Sequence, residues 1–460
     1  MLFTDTIAAI ATAPGAGAIA VIRLSGPDAI DFFSNYFSPY SKSILSELPS
    51  HTIHLGDVHF GDRVIDQALV SIFRAPRSYT GENVVEISCH GSTYIQQTLL
   101  RELVSTNRCR LAEPGEFTRR AFLNGKMSLT AAEAVADLIA SESEAAHEIA
   151  LRQMRGGFSN ELAQVREQLI HLASMIELEL DFSGEDVSFA SRDELKRLLT
   201  NLKATLKTLL DSFAYGNALK NGVGVALLGA PNAGKSTLLN ALLNEERAIV
   251  SEIAGTTRDT VEDRLTIAGV LFRFIDTAGI RETNDRIEKL GIERSIESAK
   301  KAEIVLILID SQTATSSYIN ELSALLLKHT IDSNRCILVF NKSDLSAIDH
   351  QIIPKEFEYI ELSAKEKIAI DQLRNRLTKR IQSGRVSTGS EVVSNTRHFQ
   401  ALHLALTEVF EVEKGLAADL PSDLLAISLR QVIYHLGEIT GAVSTDDLLG
   451  SIFSNFCIGK

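Results

Sequence analysis

A glycine-rich segment near the middle of the chain has the residue types and the spacing that hold the phosphates of a nucleotide. In GAPNAGKS, Gly229, Gly234, Lys235 and Ser236 satisfy the pattern G-x-x-x-x-G-K-[ST]. The apolar run VGVALLG precedes the pattern and TLLNALL follows it, which predicts a strand, a loop and a helix in that order. In this context the backbone N–H groups of the loop surround phosphates, the lysine bridges the β- and γ-phosphates, and the serine hydroxyl binds Mg²⁺.

Two later segments have the residues expected on the metal side and the base side of a guanine nucleotide. LFRFIDTAG is a predicted strand that leads into Asp276, on the Mg²⁺ side, and Gly279, beside the γ-phosphate. After a third predicted strand, IVLILID, the run CILVFNKSD leads into Asn341 and Asp344. The carboxylate of Asp344 can accept both N–H groups of the N1/N2 edge of guanine, whereas adenine offers no such pair.

Two shorter segments complete the set. AGTTRD lies between the first two motifs and offers Thr256 or Thr257 as a further Mg²⁺ ligand. YIELSAK places the triplet Ser363, Ala364 and Lys365 after a fifth predicted strand. The five ordered motifs resemble the signature of translation-factor-type GTPases, and they predict a Ras-like P-loop GTPase domain.

The residue after D-x-x-G departs from many regulatory GTPases, which have a glutamine there that orients the attacking water. This chain has Ile280, whose apolar side chain cannot orient water, so hydrolysis needs another arrangement. Asn232 is a candidate ligand for a monovalent cation beside the phosphates, or it only shapes the loop. Glu288, in DRIEKLG, is either a group that positions the water or a solvated helix residue.

The segments on both sides of the GTPase motifs are predicted to be helical. Over residues 130–215, TAAE (from Thr130) and SRDE (from Ser191) are capping-box patterns. An apolar stripe with helical spacing is expected to pack against another helix. Its members are Leu162, Val165, Leu169, Leu172, Ile176 and Leu180. FQALHLALTEVFEV and PSDLLAISLRQVIYHL are again predicted to be helical.

Neither helical flank has an obvious complete core of its own, which favours one discontinuous helical domain with the GTPase domain inserted into it. We predict that the helical domain comprises residues 121–220 and 384–460, and the GTPase domain residues 221–383. Residues 1–120 have shorter apolar runs broken by Gly and Pro, which indicates a compact α+β domain. The predicted fold class is therefore multidomain α/β.

The composition is that of an ordinary globular protein, with 460 residues of which 45% are hydrophobic and 23% charged. No apolar run reaches the ~20 residues that a spanning helix needs, and the N-terminus resembles neither a secretory signal nor a transit peptide. The prediction is a cytoplasmic location without membrane attachment. A net charge of −13 disfavours broad non-specific binding to nucleic acid.

The four cysteines are far apart in sequence and form no CxxC pair, which argues against a zinc site and against a disulfide framework. Cys336 begins the apolar run CILVF and is predicted to be a buried thiol in a strand.

The whole chain, not only its centre, resembles the MnmE (TrmE) family of tRNA uridine-modification GTPases. The resemblance is carried by IAAIATAPGAGAIAVIRLSGP, YTGENVVEISCHG, EPGEFTRRAFLNGKMSLTAAEAVADLI, GAPNAGKS, GTTRD, DTAGIRET, NKSD and the terminal CIGK. It implies an N-terminal domain that binds a tetrahydrofolate and forms a homodimer. It also implies a heterotetramer with an FAD-binding subunit of the MnmG (GidA) type, which uses NADH.

The resemblance further implies a reaction. With its partner the enzyme would add an aminomethyl or carboxymethylaminomethyl group at C5 of the wobble uridine, U34, of certain tRNAs. The one-carbon unit would come from 5,10-methylene-tetrahydrofolate, and GTP hydrolysis would be stimulated when two GTPase domains meet around K⁺. Because K⁺ would take the part of an arginine finger, this agrees with the missing glutamine.

The motifs of the family assign site residues by position. Mg²⁺ would be bound by Ser236 and Thr257, with Glu288 as the catalytic residue. The implied K⁺ ligands are Asn232, Ser251, Ile253 and Thr256; position 251 is often Thr in the family. The implied folate residues are Arg23, Glu86, Lys126 and Lys460. The motifs and the resemblance together predict that GTP contacts Asn232, Ala233, Gly234, Lys235, Ser236, Thr237, Ser251, Glu252, Ile253, Ala254, Gly255, Thr256, Thr257, Asp276, Thr277, Ala278, Gly279, Asn341, Lys342, Asp344, Ser363, Ala364 and Lys365.

Cys457, three residues before the terminal Lys460, allows three interpretations. A prenylated C-a-a-X end is disfavoured by Gly at an aliphatic position, by Lys at X and by the absence of a polybasic segment upstream. A pure switch, such as a GTPase of ribosome assembly, would need no folate domain. In a modification enzyme the thiol could act directly, on the one-carbon unit or in another covalent step, so Cys457 is a predicted catalytic residue. The alternative is a structural or redox-sensitive thiol.

Overall fold

The computed structural model of the chain describes residues 3–181, 192–243, 263–275, 296–382, 392–418, 420–454 and 456–459. The chain forms two compact units. Unit 1 comprises Met1–Ile139, Leu151–Leu199 and Thr407–Lys460, and unit 2 comprises Ala140–Ala150 and Thr200–Leu406.

A seven-stranded sheet forms the first part of unit 1. Its strands are β1 (Thr6–Ile10), β2 (Ile19–Ser25), β3 (Phe37–Pro39), β4 (Thr52–Phe60), β5 (Arg63–Phe73), β6 (Val84–His90) and β7 (Cys109–Leu111). The order is β3-β4-β5-β6-β2-β1-β7, and only the β1–β7 pair is parallel. Buried residues alternate along β5, because one face packs in a core that includes residues of α1 (Ala29–Phe33) and α2 (Thr93–Ser105). The predicted α+β fold of the N-terminal region is confirmed.

Helices complete unit 1. They are α3 (Glu116–Leu123), α4 (Leu129–Ala140), α6 (Gly157–Asp181), α12 (Ser422–Thr440) and α13 (Asp446–Phe453). Helix α6 packs along α12, and the side chain of Arg166 donates to the carbonyl oxygen of Ile433 at 3.2 Å. Leu162, Leu169 and Ile176 of the predicted stripe are buried, as the helical spacing indicated.

The long helical segment is interrupted, and one predicted cap is wrong. Breaks separate α4, α5 (Glu144–Met154) and α6. Helix α4 begins at Leu129, and the cap is Ser128, whose Oγ accepts from the backbone N–H of Ala131 at 3.2 Å. Thr130 lies inside the first turn, where its hydroxyl donates to Ser159 at 2.9 Å. The hydroxyl of Ser128, two residues earlier, therefore caps the helix in place of the predicted capping box at Thr130. The second predicted capping box begins at Ser191, which lies outside the described residues.

Arg120, on α3, is fully buried and is surrounded by carboxylates. Its guanidinium lies 2.9 Å from both Glu116 and Asp5 and 3.2 Å from Glu82, and Arg110 binds Glu116 at 2.6 Å. Burial alone would raise the pKa of Glu116, but hydrogen bonds from Arg110 and the backbone lower it below its ordinary value. The network ties α3 to the segment before β1 and to the loop before β6.

Unit 2 contains a six-stranded sheet of order β13-β12-β11-β8-β10-β9. The strands are β8 (Val223–Gly229), β9 (Asp263–Ile267), β10 (Val270–Ile275), β11 (Ile304–Asp310), β12 (Cys336–Asn341) and β13 (Glu358–Glu361). All pairs are parallel except β9–β10. The helices after β8, β11 and β13 are α8 (Lys235–Leu243), α9 (Ser316–Lys328) and α10 (Ile370–Gln382). Alternate residues of β8, β11 and β12 belong to two different apolar clusters, one on each face of the sheet. This is typical of a parallel sheet that is covered on both faces.

The chain enters and leaves this sheet through neighbouring segments. Helix α7 (Arg192–Asn221) leads into β8, and residue 392 onward leads into α11 (Thr396–Ala417). The hydroxyl of Ser212 accepts from the N–H of Val393 at 3.0 Å, and the rings of Phe213 and Phe399 stack at 4.4 Å. This side-by-side arrangement is what an inserted domain requires; the division at residues 120, 220 and 384 stays a prediction.

None of the described helices is long and apolar enough to cross a bilayer. Cys89, Cys109 and Cys336 are buried, the last in β12 as predicted, and Cys457 is exposed. Burial raises the thiol pKa values of Cys89, Cys109 and Cys336 to about 11, 12 and 11. Since thiolate is the reactive form, these three thiols are poor nucleophiles.

Candidate functional site

The phosphate-binding pattern forms the turn between β8 and α8, as predicted. Gly229 and Gly234 have φ values of 150° and 96°, which side chains rarely adopt. A Cβ at Gly229 would lie 2.4 Å from the carbonyl oxygen of Leu308, so the turn passes directly over β11. Lys235 donates from Nζ to the carbonyl oxygens of Gly229 at 2.6 Å and Ala230 at 3.1 Å. Burial lowers the pKa of Lys235, and an anionic ligand would stabilise its charged form.

Asn341 joins three of the predicted motifs through one buried side chain. Its Nδ2 donates to the carbonyl oxygen of Ala233 at 2.8 Å, and its Oδ1 accepts from the N–H of Ala364 at 3.0 Å. A Cβ at Gly234 would lie 2.2 Å from the same Nδ2. The phosphate loop, the NKSD segment and the SAK segment are therefore held in one place at the carboxyl ends of β8, β12 and β13.

Lys342 has a left-handed backbone, with φ of 63°, and its Nζ lies 2.6 Å from Oδ2 of Asp310. Burial would raise the pKa of Asp310, but the hydrogen bonds from Lys342 and from the N–H of Gln312 lower it, so this carboxylate stays charged. Asp310 was not among the predicted site residues. The sequence feature that could have indicated Asp310 is its position as the last residue of the buried run IVLILID, which ends at the same sheet edge as Asn341.

The remaining base-side residues surround this frame. The carboxylate of Asp344 and the ammonium of Lys365 are exposed, whereas Ser363 is buried and accepts from the N–H of Glu366 at 3.2 Å. The N–H of Ser343 donates to the carbonyl oxygen of Leu362 at 3.1 Å, which holds the two loops side by side. Asp344 can thus meet the polar edge of a base.

At the other end of the loop, Ser236 and Thr237 are exposed in the first turn of α8. Asn232 is exposed and left-handed, with φ of 65°, a conformation that asparagine tolerates better than most residues. This fits loop shaping and leaves the side chain accessible to a cation, so both interpretations stay open. The described part of the chain holds no group of three His, Cys, Asp or Glu arranged for a metal. Other predicted residues lie outside the described residues: Ser251, Glu252, Ile253, Ala254, Gly255, Thr256, Thr257, Asp276, Thr277, Ala278, Gly279 and Glu288.

The second predicted site lies in unit 1, where Arg23 and Glu86 pair across β2 and β6. The Nε and Nη2 atoms of Arg23 both lie 2.8 Å from Oε1 of Glu86. The Arg23 guanidinium also lies 5.5 Å and 5.6 Å from the ring centroids of Tyr79 and Phe117. The two charges neutralise each other, although both residues were predicted to contact a ligand. Because both contacts end on Oε1, Oε2 of Glu86 can still accept from a ligand.

The C-terminal segment lies against this pair. The carbonyl oxygen of Gly459 accepts from Nη1 of Arg23 at 3.4 Å, and that of Cys457 accepts from the N–H of Gly115 at 3.4 Å. Gly459 packs so closely on β1 that an added Cβ would lie 2.3 Å from the carbonyl oxygen of Ile10. The exposed Cys457 is therefore two residues from a direct contact with Arg23, and Lys460 lies outside the described residues.

Lys126, the remaining predicted folate residue, follows α3. Its Nζ donates to the carbonyl oxygen of Pro76 at 2.9 Å, and its stem packs near Gly81. It is thereby attached to the loop that also carries Tyr79, one of the two rings beside Arg23.

Comparison with known proteins gives matches over nearly all of the chain. The family model "MnmE helical domain" matches residues 129–457, and "GTP-binding protein TrmE N-terminus" matches residues 6–126. Proteins named tRNA modification GTPase MnmE from Christiangramia forsetii and Flavobacterium psychrophilum are 52% and 54% identical, each over 100% of both chains. The protein of that name from Bacteroides fragilis is 51% identical over 99% of both.

Proposed function

Because the chain belongs to the MnmE family of tRNA modification GTPases, we propose that it hydrolyses GTP at the site around Asn341 and takes part in tRNA modification. The observation that supports this most directly is the pair of hydrogen bonds by which Asn341 joins the phosphate loop to the base-side loops. That arrangement holds phosphates and base of one nucleotide at fixed separation. Lys235 stabilises the charge on the β- and γ-phosphates, and Asp344 selects guanine.

The hydrolytic step uses residues on both sides of the phosphates. Ser236 and Thr257 would hold Mg²⁺, and the bound ion would supply positive charge that stabilises the phosphates. Glu288 positions the attacking water, since Ile280 cannot. Asn232, with Ser251, Ile253 and Thr256, would hold K⁺, and the ion would supply the positive charge of an arginine finger when two GTPase domains meet.

The modification of the tRNA itself would take place together with a partner subunit. We propose a homodimer that joins an FAD-binding, NADH-using subunit of the MnmG type in the cytoplasm and modifies C5 of U34 in tRNA. The Arg23–Glu86 region would hold the tetrahydrofolate one-carbon donor, and Oε2 of Glu86 would be the atom that accepts from the N–H edge of the pterin. Lys126 and Lys460 offer positive charge to an anionic tail. Cys457 is exposed beside this region and is the thiol suited to a covalent step.

The test is mass spectrometry of tRNA nucleosides from cells that lack this chain, complemented with wild type or with Cys457→Ser. We expect the null to lose aminomethyl-type uridines modified at C5, wild type to restore them, and Cys457→Ser to leave them absent. Cys89→Ser is a control for thiol chemistry, because Cys89 is buried and its raised pKa of about 11 keeps it protonated.

Other outcomes distinguish the parts of the proposal. If Cys457→Ser restores the nucleosides as well as wild type does, the modification role stands and the thiol has no essential part in it. An unchanged profile in the null would remove the modification role and favour a GTPase switch, as in ribosome assembly.

Because Ile280 stands where many GTPases have a water-orienting glutamine, the proposed role of K⁺ in GTP hydrolysis is tested directly. We expect GTP turnover to be at least about tenfold faster in KCl than in NaCl at equal ionic strength, because K⁺ stabilises charge that develops in the transition state. Asn232→Gly separates the two roles left open for Asn232, since glycine keeps the left-handed backbone and removes the side-chain oxygen. Loss of the K⁺ stimulation in this variant identifies a cation ligand. Equal rates of wild type in both salts would contradict the K⁺ proposal.

A further inference from the structure

The antiparallel hairpin β9–β10 of unit 2 contacts the segment that begins helix α5. Arg264, on β9, donates from Nη1 to both carboxylate oxygens of Glu142, at 2.7 Å and 2.6 Å. At the turn of the hairpin, the carbonyl oxygen of Gly269 accepts from the N–H of Ala145 at 3.1 Å. Two contacts, one at a strand and one at the turn, therefore act together to fix the position of this segment on the hairpin.

In the chain, the hairpin lies between the two segments that are predicted to contact GTP, residues 251–257 and residues 276–279. Strand β9 begins directly after residue 262, and β10 ends at Ile275, directly before Asp276. On its other side β10 pairs in parallel with β8, the strand that leads into the phosphate loop. A shift of either neighbouring segment with the state of the γ-phosphate would therefore reach the hairpin at the first residue of β9 or at the last residue of β10.

The start of α5 packs on the GTPase core as well as on the hairpin. Ala145 and Ile149 lie against the apolar cluster that contains Leu265, Ile267 and Val270 of the hairpin. The same helix continues to Met154, and its residues after position 150 belong to unit 1. The first turns of α5 therefore depend on the hairpin for their position.

We propose that the β9–β10 hairpin transmits the nucleotide state of the GTPase domain to helix α5 through the Arg264–Glu142 and Gly269–Ala145 contacts. This inference rests on the proposed binding of GTP. The ion pair is half-exposed, so it adds little to stability, and its part is to hold Glu142 close to β9. Coupling of this kind is reciprocal, so the same contacts also bias the nucleotide affinity.

The experiment compares hydrogen exchange of the Ala145 amide, and of the peptide covering residues 144–154, with GDP and with a non-hydrolysable GTP analogue. In wild type we expect an exchange rate that differs about threefold or more between the two nucleotides. Arg264→Glu or Glu142→Arg alone removes this difference, because the reversed charge repels its partner. The double variant restores the ion pair with opposite polarity and restores the difference.

The control is the reversal of another ion pair of unit 2, Lys300→Glu with Glu297→Lys, which should leave the nucleotide dependence as in wild type. A purely structural role of the Arg264–Glu142 pair would increase exchange equally with both nucleotides. Equal exchange in wild type, or a difference that persists in the single variants, would overturn the inference. Equilibrium binding of fluorescent GDP tests the premise that the chain binds a guanine nucleotide. If GDP does not bind, the proposed function fails as well. If GDP binds but hydrogen exchange is the same with both nucleotides, only this inference fails.

Discussion

Gly234→Ala is expected to lower the affinity for GDP and GTP about 100-fold. The new Cβ would lie 2.2 Å from Nδ2 of Asn341, far inside contact distance. Asn341 must then move and lose its bonds to Ala233 and Ala364. A buried polar group left without its partner costs about 1–3 kcal/mol, and about 2.7 kcal/mol corresponds to 100-fold. Fluorescent GDP titrated with each variant measures the change.

The control for this variant is Gly125→Ala. Gly125 also has a left-handed backbone, with φ of 69°, but an added Cβ there meets no atom within 4 Å. Both variants strain a left-handed residue, and only Gly234→Ala adds a collision with Asn341. If both bind GDP like wild type, Asn341 does not hold the two halves of the site together. If Asn341→Ala matches Gly234→Ala, the loss is assigned to the amide and not to the loop backbone.

The strands around this site could be predicted almost to the residue. IVLILID and CILVFN became β11 and β12 because runs that are buried on both faces of a parallel sheet are continuously apolar. The motifs at the carboxyl ends of these strands lie at one edge of the sheet, because the strands are parallel. Order and spacing in the sequence were therefore enough to predict the frame of the nucleotide site.

Contacts between segments distant in sequence could not be predicted in the same way. The bond of Lys342 to Asp310 arises because β11 and β12 are neighbours, a fact of sheet order that no local pattern contains. Strand β9 was missed because DRLTI is short and half polar, and it is stabilised by pairing with β10. The mutual pairing of Arg23 and Glu86 likewise follows from the register of β2 against β6.

Asp344→Asn is expected to exchange the base preference of the site, with about 10²- to 10⁴-fold weaker GTP binding. The carboxylate of Asp344 accepts two N–H groups in the proposed complex, and each such charge-assisted bond contributes about 1.5–3 kcal/mol. An amide presents one N–H donor in place of one acceptor. Xanthosine triphosphate has an oxygen where guanine has the N2 amino group, so it fits the variant. Competition of each triphosphate against fluorescent GDP or XDP measures both affinities.

The matched control is Asp371→Asn, which removes one exposed carboxylate from the same unit at the start of α10. It should bind GTP like wild type, which would exclude a general effect of net charge. Weakened GTP binding without a gain for xanthosine triphosphate would mean that position 344 holds the loop and does not contact the base. Unchanged GTP affinity would contradict base recognition by Asp344. Only the reciprocal exchange assigns the carboxylate to the N1/N2 edge, because a damaged loop loses affinity for both triphosphates, whereas a changed hydrogen-bond pattern improves one at the expense of the other.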